Sequence, residues 1–120
     1  MKAVFDTSIL VDYLRGLSQA SQELDRYQSP AISVITWIEV IAGTTTETEA
    51  KIRAFLQTFE ILNLDQKTSE RAAQIRKTRR IKLPDAIIWA TAQINQCLLV
   101  TRNSRDMDPD DPSVRVPYQI

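Results

Sequence analysis

At 120 residues the chain is long enough to bury roughly two thirds of its unfolded surface in a single domain, and 43% hydrophobic with 25% charged residues is a globular composition, not a disordered one. Formal net charge is zero and histidine is absent, which excludes Ser-His-Asp triads, histidine-based nuclease chemistry and the HExxH zinc motif. With glycine only at Gly16 and Gly43 and cysteine only at Cys97, neither GxxxxGK nor GxGxxG can be built, and no disulfide or cysteine zinc cluster is available.

Asp6 interrupts the N-terminal MKAVFD, so no charged and apolar leader is read there, and no run approaches the ~20 apolar residues of a membrane span. With its single thiol in QCLLV, the chain is expected to be soluble and cytoplasmic, away from membranes.

KAVF opens the chain as a short apolar strand ending at Asp6. Ile9, Leu10, Tyr13 and Leu14 then recur at helical spacing. AISV after Pro30 predicts a second strand, and Ile35, Ile38, Val40 and Ile41 a helix that Gly43 can end. Thr46 to Glu49 has the spacing of a capping box, ahead of a helix through Ile52, Phe55, Leu56 and Phe59. FEIL predicts a third strand, Ala72, Ile75 and Arg76 a further helix, and LPDAIIWATA a last one with Pro84 in its first turn. CLLV and VRVPY supply a fourth and fifth strand. Short apolar strands alternating with helices predict a mainly parallel sheet covered on both faces, a three-layer α/β/α sandwich. No repeat or linker divides the chain, so residues 1–120 are read as one domain.

Four acids fall near predicted strand ends or helix starts: Asp6, Glu39, Asp85 and Asp106. Ligands bind at that edge of an open parallel sheet. Each acid also has a plain role: Asp6 suits a helix N-cap, Asp85 complements a helix dipole, and Asp106 belongs to an acidic loop with Asp108, Asp110 and Asp111. Glu39 stands out as the sole charge in ITWIEVIAG, because an unpaired buried charge is expensive. Taken together, clustered carboxylates repel one another unless a cation neutralises them. Oxygen donors without histidine or thiolate suit Mg²⁺ or Mn²⁺, which keeps waters and binds substrate phosphates. A metal-bound water would supply a nucleophile without histidine.

Lys67, Arg71, Arg76, Lys77, Arg79, Arg80 and Lys82, against the single acid Glu70, form a basic strip that runs into LPDA. It is either a solvated helix face or a guide for a polyanion, with Arg79, Arg80 and Lys82 nearest the acids. Arg15 and Arg102 flank two of the acids and are further candidates for the same role.

FDTSILVDYLRG, ITWIEVIAG, LPDAIIWATA and LLVTRNSRDM, in this order and over nearly the whole chain, resemble a PIN domain of the VapC type. The resemblance implies an α/β/α sandwich with Mg²⁺- or Mn²⁺-dependent endoribonuclease activity, and the role of toxin in a toxin–antitoxin pair. It assigns Asp6, Glu39, Asp85 and Asp106 as metal ligands and catalytic acids, with Thr7, Ser8, Thr101 and Asn103 shaping the pocket. Its implied partners are an RNA substrate, a cognate antitoxin lying along the cleft and a second copy of the chain in a homodimer, or a hetero-oligomer with the antitoxin. Leu14, Leu17 and Leu24 are candidates for those contacts or for the core. Met107 and Trp89 depart from the family's usual residues, where Phe and a smaller side chain or Ile are commoner. Two readings compete with the nuclease: a catalytically inactive PIN-like module that binds RNA or protein, and a phosphatase phosphorylated on Asp6. The latter usually needs a second Asp two residues on, where this chain has Ser8.

Overall fold

The computed structural model describes residues 2–120. Strand β1 (Ala3–Phe5) leads into α1 (Thr7–Leu14) and α2 (Ser18–Asp25); β2 (Ala31–Ser33) into α3 (Val34–Ala42) and α4 (Glu49–Leu56). Then follow β3 (Glu60–Leu62), α5 (Gln66–Arg79), α6 (Leu83–Ile94), β4 (Leu98–Val100) and β5 (Val114–Arg115). All pairings are parallel, in the order β3-β2-β1-β4-β5. The chain therefore builds outward from β1 in one direction, then crosses to its other side at β4, and the ends of β1 and β4 flank the switch point where such sheets bind ligands.

Strand alternation divides the core. Ala3 and Phe5 point into a cluster with Ile9, Leu10, Ala20, Leu56 and Phe59, whereas Val4 and Leu99 point into one with Ala72, Ile75, Ile88 and Trp89. Helices α1, α2 and α4 thus cover one face and α5 and α6 the other, while α3 contributes Val40 to the first cluster and packs Ile35 against the second. This is the three-layer sandwich the alternation of elements predicts.

Four local features differ from the sequence reading. Helix α2 has no apolar periodicity, because its buried residues are Ala20 and the acid Glu23. Thr46 does not cap α4: Thr48 occupies the N-cap without a side-chain cap bond, its hydroxyl instead accepting from the amide of Thr45 at 2.9 Å. FEIL forms an edge strand, with Glu60 and Ile61 exposed and Glu60 paired to Lys2 at 2.6 Å. VRVPY pairs only through Val114 and Arg115 before Pro117 follows. Gly43 and Pro84 hold their expected places, at the C-cap of α3 and in the first turn of α6. Among the described residues no helix is long and apolar enough to cross a membrane.

Candidate active site at the carboxyl edge of the sheet

In a parallel sheet the strand C-termini and the N-termini of the following helices share one edge. Asp6 stands between β1 and α1, Glu39 lies on the helix that follows β2, Asp85 is in the first turn of α6, and Thr101 follows β4. A cleft of about 480 Å³ opens there, lined by Asp6, Thr7, Ser8, Glu39, Asp85, Arg102, Asn103, Ser104 and Arg105.

Asp6 is 4% exposed, and both of its carboxylate oxygens accept hydrogen bonds. One carboxylate oxygen accepts from the amide of Thr7 at 2.8 Å; the other accepts from the Thr101 hydroxyl at 2.6 Å and from the Ser8 hydroxyl at 3.4 Å. It is thus an N-cap and a cleft residue together. Burial raises its pKa, the bonds from Thr101, Thr7 and Ser8 oppose that rise, and the charge of Glu39 adds to it.

Asp85 is half-buried, and no hydrogen bond to its side chain is found among the described residues. Burial, and then the charges of Asp6, Asp106 and Glu39, push it up to about 6, with Lys82 pulling weakly the other way. Three acids from other parts of the chain are therefore felt at one carboxylate, although Asp106 does not itself line the cleft. Asp106 is held from behind, its carboxylate accepting from the Asn103 amide nitrogen at 3.1 Å and its backbone N–H donating to Asn103 Oδ1 at 3.3 Å.

Glu39 requires a correction. It is exposed on α3, as is its neighbour Ile38, so the cost of a buried charge is not what marks it. What places it is the Thr7 hydroxyl, which donates to Oε1 at 2.6 Å and also meets the Thr36 hydroxyl at 3.0 Å. The four polar residues around the acids thus each hold one: Thr7 holds Glu39, Ser8 and Thr101 hold Asp6, and Asn103 holds Asp106.

The basic candidates are more scattered. The Arg79 guanidinium lies over the Trp89 ring, 4.6 Å from its centroid, and Arg71 donates to Gln93 at 2.6 Å. Arg76 donates to the Ile81 carbonyl. Arg80 is exposed at the C-cap of α5 with a φ of 57°. Arg79 and Arg80 do not line the cleft, and Lys82, the last residue of the strip, opposes the rise at Asp85. Arg15 borders a different groove with Val11, Leu14, Val40, Gly43 and Ile52, which meets the acid cleft at Glu39. Arg102 lines the cleft, but its guanidinium is bound to Asp12. Sequence reasoning passed over Arg105, an exposed arginine at the cleft beside Asp106. It also passed over Asp12, the lone acid of ILVDYL, whose isolation among apolar residues was a readable signal.

Among the described residues no three acids already form a closed metal-binding group. The donor set is nevertheless all oxygen, and carboxylates that raise one another's pKa are the arrangement a hard divalent cation relieves.

Fold and site define an α/β/α protein that gathers acids at the carboxyl edge of a parallel sheet. The chain belongs to the PIN domain family, whose pattern covers residues 3–108. It is similar to Ribonuclease VapC10 of Mycobacterium tuberculosis (strain ATCC 25618 / H37Rv), at 31% identity over 106 residues covering 82% of this chain and 80% of that protein. Among solved structures, a toxin–antitoxin complex from Klebsiella pneumoniae contains a chain that matches at a TM-score of 0.93 and 43% identity, over 98% of this chain and 99% of that one. A chain of DNA-bound VapBC from Salmonella typhimurium shares the fold at a TM-score of 0.82 and 21% identity, over 99% and 98% of the two.

Proposed function

We propose that the chain is an endoribonuclease that hydrolyses RNA phosphodiester bonds with a divalent cation, Mg²⁺ or Mn²⁺, and acts as the toxin of a toxin–antitoxin pair. The observation that carries the chemistry is Asp85, a cleft carboxylate without an ion pair among the described residues, raised to about 6 by burial and by three converging acids. Membership of the PIN family and similarity to a ribonuclease support the substrate class.

In this reading Asp6, Glu39, Asp85 and Asp106 hold the cation. When bound, it supplies an activated water and neutralises charge on the phosphoryl oxygens. The chain's own residues do the positioning. Thr101 and Ser8 fix the Asp6 carboxylate, Thr7 aims Glu39 across the cleft, and Asn103 orients Asp106. Arg105, which lines the cleft, meets a phosphate of the substrate strand, and Lys82 offsets part of the negative field at Asp85.

Similarity to a chain of a toxin–antitoxin complex supports an antitoxin as partner. The groove of Val11, Leu14, Val40 and Ile52, bordered by Arg15 and ending at Glu39, fits an apolar segment that runs on into the acid cleft. Leu17 and Leu24 are half-buried against the core cluster instead.

The test is cleavage of total cellular RNA by the purified chain with Mn²⁺ or Mg²⁺, beside EDTA and Asp85→Asn. Defined fragments that vanish in both controls are the expected result. An intact RNA pool from a chain that still binds RNA overturns the nuclease and leaves a binding module.

A further inference from the structure

The TRN loop that carries Thr101, Asn103 and Asp106 has a lateral anchor of its own. Asp12, on α1, is 3% exposed. Its carboxylate accepts two bonds from Arg102, from Nε at 2.6 Å and Nη2 at 3.1 Å, and a third from the Tyr118 hydroxyl at 2.8 Å. Arg102 is the residue between the one that holds Asp6 and the one that holds Asp106, and its own amide donates to Ser8 at 3.3 Å. Asn103 in turn donates its amide to the Thr101 hydroxyl at 2.9 Å, and the amide of Met107 returns to the Asn103 carbonyl at 3.1 Å.

We propose that Asp12, backed by Tyr118, is a positioning residue for the site: it fixes Arg102 by a bidentate pair and thereby holds the 101–106 loop so that Thr101 and Asn103 present Asp6 and Asp106. The proposal rests on the nuclease reading only for its kinetic consequence. The physical reason is the rigidity of a two-point guanidinium–carboxylate contact, which sets direction as well as distance and which lysine cannot reproduce. Between Thr101 and the buried Met107 the loop is irregular and partly exposed, so a side-chain tie is what gives it a single position. Outer partners of this kind cost about 10- to 100-fold in activity when lost. Tyr118 extends the tie to the C-terminal tail, linking a segment remote in sequence to the acids.

Asp12→Asn, Arg102→Lys and Tyr118→Phe are compared with the wild-type chain by native-state hydrogen exchange and by RNA cleavage kinetics. In Asp12→Asn and Arg102→Lys the amides of Arg102, Asn103, Asp106 and Met107 should lose about tenfold more protection than those of Leu98 and Leu99 in the sheet, with kcat lowered about 10- to 100-fold at little change in KM. Tyr118→Phe, which leaves the pair intact, should show the same pattern at a few-fold. Should Asp12→Asn not fold, the other two variants decide. Equal loss of protection in loop and sheet, or loop amides that exchange as in the wild type, overturns the proposal. A wild-type chain that cuts no RNA removes the nuclease reading, while the exchange measurement still decides whether Asp12 positions the loop.

Discussion

Two groups of acids in this protein face opposite electrostatic circumstances. Under the C-terminal tail, Asp12 and Glu23 are almost wholly buried, and each is met by an arginine and a tyrosine: Arg102 and Tyr118 for the first, Arg115 and Tyr27 for the second. At the carboxyl edge of the sheet, Asp6, Glu39, Asp85 and Asp106 have hydroxyls, amides and one another, and no ion pair among the described residues. A buried charge is tolerated when it is paired and hydrogen-bonded. The protein meets that condition at Asp12 and Glu23 and not at the cleft acids, an arrangement that a bound cation would relieve. Arg102 belongs to both regions: it lines the cleft, yet its charge is committed to Asp12.

The contrast breaks most sharply at Asp85. Asp85→Asn removes a carboxylate that its surroundings already disfavour, so the expected outcome is RNA cleavage reduced more than about 100-fold, beyond the loss from an outer partner, with an unchanged or higher Tm in metal-free buffer. Glu39→Gln should likewise leave stability within about 0.5 kcal/mol, as for exposed positions, while reducing cleavage. A steep fall in Tm for either variant would mean that the cleft acids are structural.

At Glu23, which does not touch the loop that carries Thr101 and Asn103, the same kind of change should act on stability and not on chemistry. Burial pushes the Glu23 carboxyl up, but the hydrogen bond and charge of Arg115, with Tyr27 and Arg26, outweigh it and leave the group below its usual 4.5. A depressed carboxyl contributes stability that is present above 4.5 and lost as the pH falls through its folded value. Glu23→Gln should therefore cost about 2 kcal/mol at pH 7, less than for a fully buried pair because Arg115 is partly exposed, and the difference from wild type should shrink under acid. Urea unfolding at pH 7 and below pH 4 measures both.

The fold was legible because its signals are local: five apolar runs, helical spacing between them, a glycine and a proline at helix ends. Helix α2 was not, because its buried face consists of Ala20 and a glutamate whose partner, Arg115, lies 92 residues away. The site shows the same division. Asp6, Glu39 and Asp85 reach the cleft as the element order requires, yet the signal that singled out Glu39 belonged to Asp12. Both are lone acids in apolar helices; which one is buried depends on helix phase against neighbours that one sequence does not name. The basic strip read as a block because its residues are contiguous, whereas folding spends Arg71, Arg76 and Arg79 on Gln93, the Ile81 carbonyl and Trp89.

That redistribution leaves Arg105 as the cleft arginine without an ion pair among the described residues, and it yields the smallest effect. Arg102 should contribute little to RNA affinity through its charge, because that charge is already opposed by Asp12 at 2.6 Å. Arg105, exposed and uncommitted, should contribute one phosphate contact. Loss of one such contact lowers the slope of log affinity against log salt by about 0.7 for a single strand. Arg105→Ala should therefore weaken RNA binding a few-fold at low salt, raise KM with little change in kcat, and leave Tm unaltered. Arg80→Ala, at the exposed end of α5 and off the cleft, should leave affinity and slope as they are. If Arg80→Ala changes the slope and Arg105→Ala does not, RNA approaches along α5, and Arg105 is not the residue that meets its phosphate.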